Sequence, residues 1–488
     1  MCKLIRIGCL LLLGSALCGC YEMRPTSGGG KLTVLPEDGV RALSPEDIAL
    51  PSGYRIEAVA TGLTFPSGVA FDERGTPFVV ESGYSYGEVW TVPRLLKVEN
   101  GKKVTVAQGG NNGPWTGVAR LGGSFYVAEG GELEGGRILR IDADGSINPI
   151  VDGLPSRGDH HTNGPAAGPD GSLYFGIGTA TNSAVVGEDN LKFGWLKRDP
   201  EFHDTPCADV TLRGENYASD DFLEGKGLVA TGAFMPFGIY TLPGEVVYGE
   251  VPCNGAVLKV PPSGGRPQLV AWGFRNPFGL AFSPQGKLYV TDNGYDERGS
   301  RPVFGASDVL WEVTPGTWYG WPDFSAGLPL DYGNQFKPPL RHRPKPLLAE
   351  HPNVPPAPAA ILPVHASANG LDFSRSERFG HRGEVFVALF GDQSPGTGKV
   401  MGPVGFKVVR VNVADGVIRD FAVNKGEKNA PASAFGSGGL ERPLAARFDP
   451  SGEALYVVDF GMLKETVKGS IPMKNTGVLW RITREDQE

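Results

Sequence analysis

"FGLAFSPQGKLYVTDNG", residues 278–294, holds two apolar runs around a Ser-Pro-Gln-Gly turn. Turn residues between apolar runs mark a β-hairpin, because Gly supplies positive φ and Pro fixes the bend. The pattern recurs five times: "SGVAFDERGTPFVVES" (67–82), "TGVARLGGSFYVAEG" (116–130), "NGPAAGPDGSLYFGIG" (163–178), "NGLDFSRSERFGHRGEVFVALFG" (369–391) and "LAARFDPSGEALYVVDFG" (444–461). No amphipathic helical period separates the units, which predicts an all-β fold. Six like hairpins over residues 51–485 predict a six-bladed β-propeller.

Composition agrees. Of 488 residues, 71 are Gly and 41 Pro without a collagen-like period, as many tight turns require. The formal charge of −8 argues against a phosphate-backbone partner, which needs clustered cations.

The N-terminus reads as a targeting segment. Lys3 and Arg6 precede the apolar "IGCLLLLGSAL" and then "LCGC", which resembles a bacterial lipoprotein cleavage box. Residues 1–19 are expected to be a lipoprotein signal peptide, Cys20 the lipidated residue, and 20–50 a flexible tether holding the chain to the cell envelope. Once Cys2, Cys9 and Cys18 leave with the signal, Cys207 and Cys253 remain, as a disulfide or as two thiols.

In a propeller, equivalent positions of successive repeats form a ring around the axis. Arg275 lies four residues before Gly279 and thirteen before Leu288; the same offsets in the third unit give His160. The other units give Thr64, Asn112 or Gly113, Ala366 beside His365, and Glu441 or Arg442. His160, Arg275 and Arg442 around one axis predict an electropositive pocket for an anionic ligand. A second set, Glu81, Glu129, Asp292 and Asp459, is expected at the opposite end of the inner strands, as a cation site or as soluble strand ends. After Asp292, the loop "DNGYDERGSRPVFGASD" offers the Gly294 carbonyl and the Asp308 carboxylate, oxygen ligands of the kind calcium takes.

At "GFRNPFGLAFSPQGKLYVTDNG", "VTPGTWYGWPDF", "HHTNGPAAGPDGSLYFGIG", "HASANGLDF" and "GEVFVALFGD" the chain resembles the glucose/sorbosone dehydrogenase family, particularly its sorbosone dehydrogenase-like branch. These are six-bladed propellers that use pyrroloquinoline quinone (PQQ) and calcium. The resemblance implies His160 as general base, with His161 its neighbouring competitor. It implies Arg275, Asn276 and Arg442 as PQQ contacts, with Asn112 on the same ring, and Gly294 and Asp308 at calcium. Phe390 and Leu444 stand where characterised glucose and aldose dehydrogenases carry a Lys and a second Arg.

The activity so implied is PQQ-dependent oxidation of an aldose or related sugar in the periplasm. Without a Cys-x-x-Cys-His haem motif, the electrons pass to a separate acceptor. A non-catalytic binding propeller and a metal-dependent sugar-lactone hydrolase are the alternatives.

Overall fold

A computed structural model describes residues 39–485, apart from 86–88, 132–133, 222, 224, 226, 393–401, 427–428 and 467–468. The expected signal peptide and Cys20 lie outside the described residues. Six antiparallel sheets, each with four propeller strands, follow one another around the ring. Their inner strands are Pro66–Phe71, Trp115–Leu121, Thr162–Ala167, Pro277–Phe282, Ala368–Phe373 and Pro443–Phe448, which begin blades 1 to 6. Blade 6 is closed by the other end of the chain: Tyr54–Leu63 pairs with Gly477–Arg484 as its outermost strand.

The glycine in the repeated hairpin has a steric reason. A Cβ at Gly117 would collide with the backbone oxygen of Gly164, and one at Gly279 with that of Asn369. Inner strands of adjacent blades therefore meet backbone to backbone, which only a residue without a side chain permits. Hydroxyls stitch the same seam, as Thr116 Oγ1 donates to Thr162 O (2.7 Å) and Thr291 Oγ1 to Asn369 O (2.7 Å).

Two expectations are corrected. The tether drawn to residue 50 ends earlier. Ile48–Ala49 pairs with Val417–Asn424 as a fifth strand on blade 5, and Arg41 Nη2 donates to Asp459 Oδ2 at 2.6 Å. The carboxylate set is also not at the opposite end. Antiparallel register places Glu81 against Pro66, Asp292 against Pro277 and Asp459 against Pro443, so the carboxylates sit beside the polar ring.

Residues 178–255 and 313–359 are insertions covering blades 3 and 4, where Trp318, Trp321, Phe234 and Cys207 join one core. Cys207 and Cys253 form a disulfide across 46 residues of sequence. Closing a loop of that length restricts the unfolded chain by about 2–4 kcal/mol. A Cys207→Ser/Cys253→Ser double variant should therefore lose about 2–4 kcal/mol in urea melts, an effect that reductant reproduces in the wild type alone.

Candidate active site

The ends of the second strands fix the polar ring. Asp292 accepts from the backbone N–H of Arg275 (3.1 Å) and Asn276 (2.7 Å) and from the Trp311 indole (3.3 Å). Asp459 repeats the device in blade 6 with Glu441 N (2.9 Å), Arg442 N (2.8 Å) and the Trp480 indole (3.2 Å). Glu81 takes Thr64 N at 2.7 Å, and Glu129 takes the Asn112 amide at 2.8 Å. These carboxylates are buried braces: Glu81, Asp292 and Asp459 satisfy the backbone of their entry loops and Glu129 the Asn112 side chain of its own, so they are neither soluble strand ends nor a cation cage.

Blades 3 and 5 end the second strand on Ile177 and Leu389 instead, and their entry loops carry histidines. His160 Nδ1 lies 2.8 Å from the Thr179 carbonyl oxygen. A carbonyl only accepts, so Nδ1 carries the proton and Nε2 keeps its lone pair. Burial, followed by the nearby Arg275 and Arg298 charges, holds the imidazole well below its ordinary pKa of 6.5, so it is neutral at physiological pH. His161 turns toward blade 2, where its Cβ would lie 2.9 Å from a Cβ on Gly130; burial pushes its imidazole to about 4. His160 and Asn276 close around Gly178, and the Asn276 amide donates to Asn293 Oδ1 at 2.9 Å.

Arg275 is only 4% exposed, and its guanidinium is held by Asn182 Oδ1 (2.9 Å) and Asp296 Oδ2 (2.8 Å). Asp296 Oδ2 also accepts from Arg298 Nε at 3.0 Å, and Arg298 Nη1 meets Asp159 (2.6 Å) and Asp189 (2.7 Å). Burial opposes ionisation of Asp296, but Arg275 and Arg298 overcome it and hold the carboxyl well below the usual range. The expected bare cationic ring is thus a charge-balanced network. Arg442 lies between the Phe390 and Phe406 rings, 5.1 and 4.8 Å from their centroids, and its Nη1 donates to the Gly391 carbonyl at 3.2 Å. Phe390 and Leu444 join Phe65 and Phe460 in an apolar cluster contributed by blades 1, 5 and 6.

Two further residues do other work. Asn112 spends its amide inside blade 2, donating to Glu129 and Gly135 O and accepting from Glu134 N, which removes it from the ligand-facing set. Asp308 braces blade 4 to blade 5, accepting from Gly294 N (2.8 Å) and Ala368 N (2.8 Å), and burial pushes its carboxyl up. Gly294 meets Asp308 through its N–H, a pairing that commits the Asp308 oxygens to backbone donors and does not involve the Gly294 carbonyl. Among the described residues, no group of three or more His, Cys, Asp or Glu is placed to hold a metal ion.

The residues that could hold a cofactor gather on the blade 3–5 side. There Arg275, Asn276 and the His160 Nε2 acceptor stand together, and His365 Nε2 is buried with no hydrogen-bond partner among the described residues. The network residues Asn182, Asp296, Arg298, Asp159 and Asp189 escaped the sequence reading. Asp296 and Arg298 lie in the stretch taken as a calcium loop, and Asn182 and Asp189 in an insertion without repeat register.

Comparison with known proteins bears out the resemblance. Residues 248–393 match the Glucose / Sorbosone dehydrogenase family model. Quinoprotein glucose dehydrogenase B of Acinetobacter calcoaceticus is 27% identical over 186 residues, 38% of this chain and 30% of that protein. The match thus spans less than a third of the relative's length. Among solved structures, the Trichoderma reesei Carbohydrate-Active Enzymes Family AA12 protein, in a calcium structure, shares a TM-score of 0.54 at 13% identity over 93% of this chain and 100% of its own. The holo pyranose dehydrogenase PQQ domain of Coprinopsis cinerea gives 0.53 at 16%, over 93% and 99%. At these identities the structures attest the propeller fold.

Proposed function

From a propeller whose residues 248–393 carry the glucose/sorbosone dehydrogenase signature, we propose a PQQ-dependent dehydrogenase of aldoses or related sugars. We place it in the periplasm, on a lipid anchor at Cys20. The observation that carries this reading is the neutral His160, its Nδ1–H fixed by the Thr179 carbonyl and its Nε2 left as the acceptor beside Arg275 and Asn276.

His160 Nε2 takes the proton of the anomeric hydroxyl as the C1–H bond gives up its hydride, which leaves a lactone. The Thr179 carbonyl holds the ring so that the same nitrogen faces the substrate throughout. Arg275, Asn276 and Arg442 would hold the cofactor, with the Asp292 and Asp459 braces fixing their backbones. PQQ, when bound, supplies a two-electron quinone acceptor.

Calcium enters as an arm of the test rather than as a step. Apo-protein is titrated with PQQ, with and without Ca²⁺, followed by dye-linked oxidation of an aldose panel. Saturable binding and turnover support the proposal; neither at any concentration defeats it.

One observation favours a second reading, a non-catalytic binding propeller. The apolar cluster of Phe65, Phe390, Leu444 and Phe460 occupies the place where the resembled enzymes use two cations. Each missing charge-assisted bond forgoes about 1.5–3 kcal/mol. A lactone hydrolase is disfavoured because Glu81, Glu129, Asp292 and Asp459, the ion ligands it would need, are committed to N–H donors.

A further inference from the structure

His365 enters blade 5 much as His160 enters blade 3, one residue from the strict register position. Its backbone is held at φ 60°, and Ser367 follows at φ 52°. Two non-glycine residues in the left-handed region within three positions are an unfavourable backbone choice, of the kind that clusters at ligand sites. The strain fixes where the imidazole stands. Its side chain is 14% exposed, and Nδ1 lies 3.8 Å from Asp296 Oδ1. That carboxylate oxygen only accepts, so it favours the proton on Nδ1. Nε2 is buried with no partner among the described residues, and native proteins rarely leave such an atom unpaired.

We infer that His365 is a second ligand-contacting imidazole of this site, accepting a hydrogen bond at Nε2 from a non-reacting hydroxyl of an uncharged, hydroxyl-rich sugar. The chemistry selects the ligand. With Nδ1 turned to the Asp296 carboxylate, the imidazole presents Nε2 as its acceptor, and a sugar hydroxyl brings the donor it lacks. A quinone carbonyl or carboxylate brings only acceptors. The inference deepens the dehydrogenase reading and rests on it for the sugar class.

The test uses the full chain without PQQ and measures binding of D-glucose, D-galactose and D-xylose by calorimetry, for wild type, His365→Ala and His365→Gln. His365→Ala should weaken sugar binding by about tenfold or more, while His365→Gln, which keeps a polar terminus, recovers part of it. In parallel, the PQQ dissociation constant from absorbance titration should stay within about twofold, and in turnover KM should rise far more than kcat falls. Unchanged sugar affinity in His365→Ala overturns the inference. So does a loss of PQQ affinity with sugar binding intact. If His365→Ala does not fold, His365→Gln decides: affinity equal to wild type in both sugar and PQQ titrations, with an equal KM, defeats it. A wild type that binds sugar through His365 yet never turns over with PQQ would sink the dehydrogenase proposal and leave this one standing. A wild type that binds none of the three sugars overturns this inference.

Discussion

Replacing His160 by alanine is expected to lower sugar oxidation by about 10²–10⁴-fold, the usual worth of a positioned base. The fold should survive, because His160 is half-buried and its one strong contact is to the Thr179 carbonyl. PQQ affinity should stay near wild type, whereas Arg275→Ala should weaken it. The pH profile adds an independent check. The base works in its neutral form, and burial with Arg275 and Arg298 lowers its pKa well below 6.5. Protonation therefore switches the base off only on the acid side of 6.5, and kcat/KM should be level from about pH 6.5 to 8. A limb centred at 6.5 or above, or normal turnover in His160→Ala, would remove this residue from the mechanism.

Arg298→Met should destabilise the propeller by about 3–5 kcal/mol, the cost of removing one partner from buried charges. Arg298 is 4% exposed, and it faces Asp159 and Asp189, each 2% exposed, as well as Asp296. Methionine fills much of the volume and leaves three carboxylates without their shared cation. The deficit should depend on pH. Burial, followed by Arg298 and Asp189 acting in opposite directions, already sets the Asp159 carboxyl at about 6, above its ordinary 3.8. A raised acid pKa means stability that is full below 3.8 and lost as pH rises through about 6. Without the guanidinium that pKa climbs further, so the variant should come closest to wild type near pH 5 and fall furthest behind above 7. Urea melts at pH 5 and 8 measure it; equal deficits at both would show that the charges do not matter.

How much of this was legible in the chain depended on register. Gly117 and Gly279 sit where neighbouring strands touch, so the hairpin pattern and the six blades could be read from spacing alone. The same register brought Arg275, Asn276 and His160 to one end of the ring. It did not say which end the carboxylates share, since that follows from antiparallel pairing within each hairpin. Nor did it show that Asp292 and Asp459 are spent on backbone N–H groups. Asn112 held the right slot but turned its amide into its own blade. The Asp296–Arg298 network joins a loop of blade 4 to an insertion of blade 3, and a repeat carries no information about where insertions fold back.

Because the outermost strand of the last blade comes from Tyr54–Leu63 and its neighbour from Gly477–Arg484, the circle is fastened by two strands far apart in the sequence. A nascent chain on the ribosome can fold individual hairpins, yet blade 6 lacks a strand until Gly477–Arg484 has been made. Until then two open sheet edges remain exposed to other chains. Loss of residues 477–484 would unfasten the whole molecule rather than shorten it, which makes that one strand as consequential for assembly as any residue at the centre.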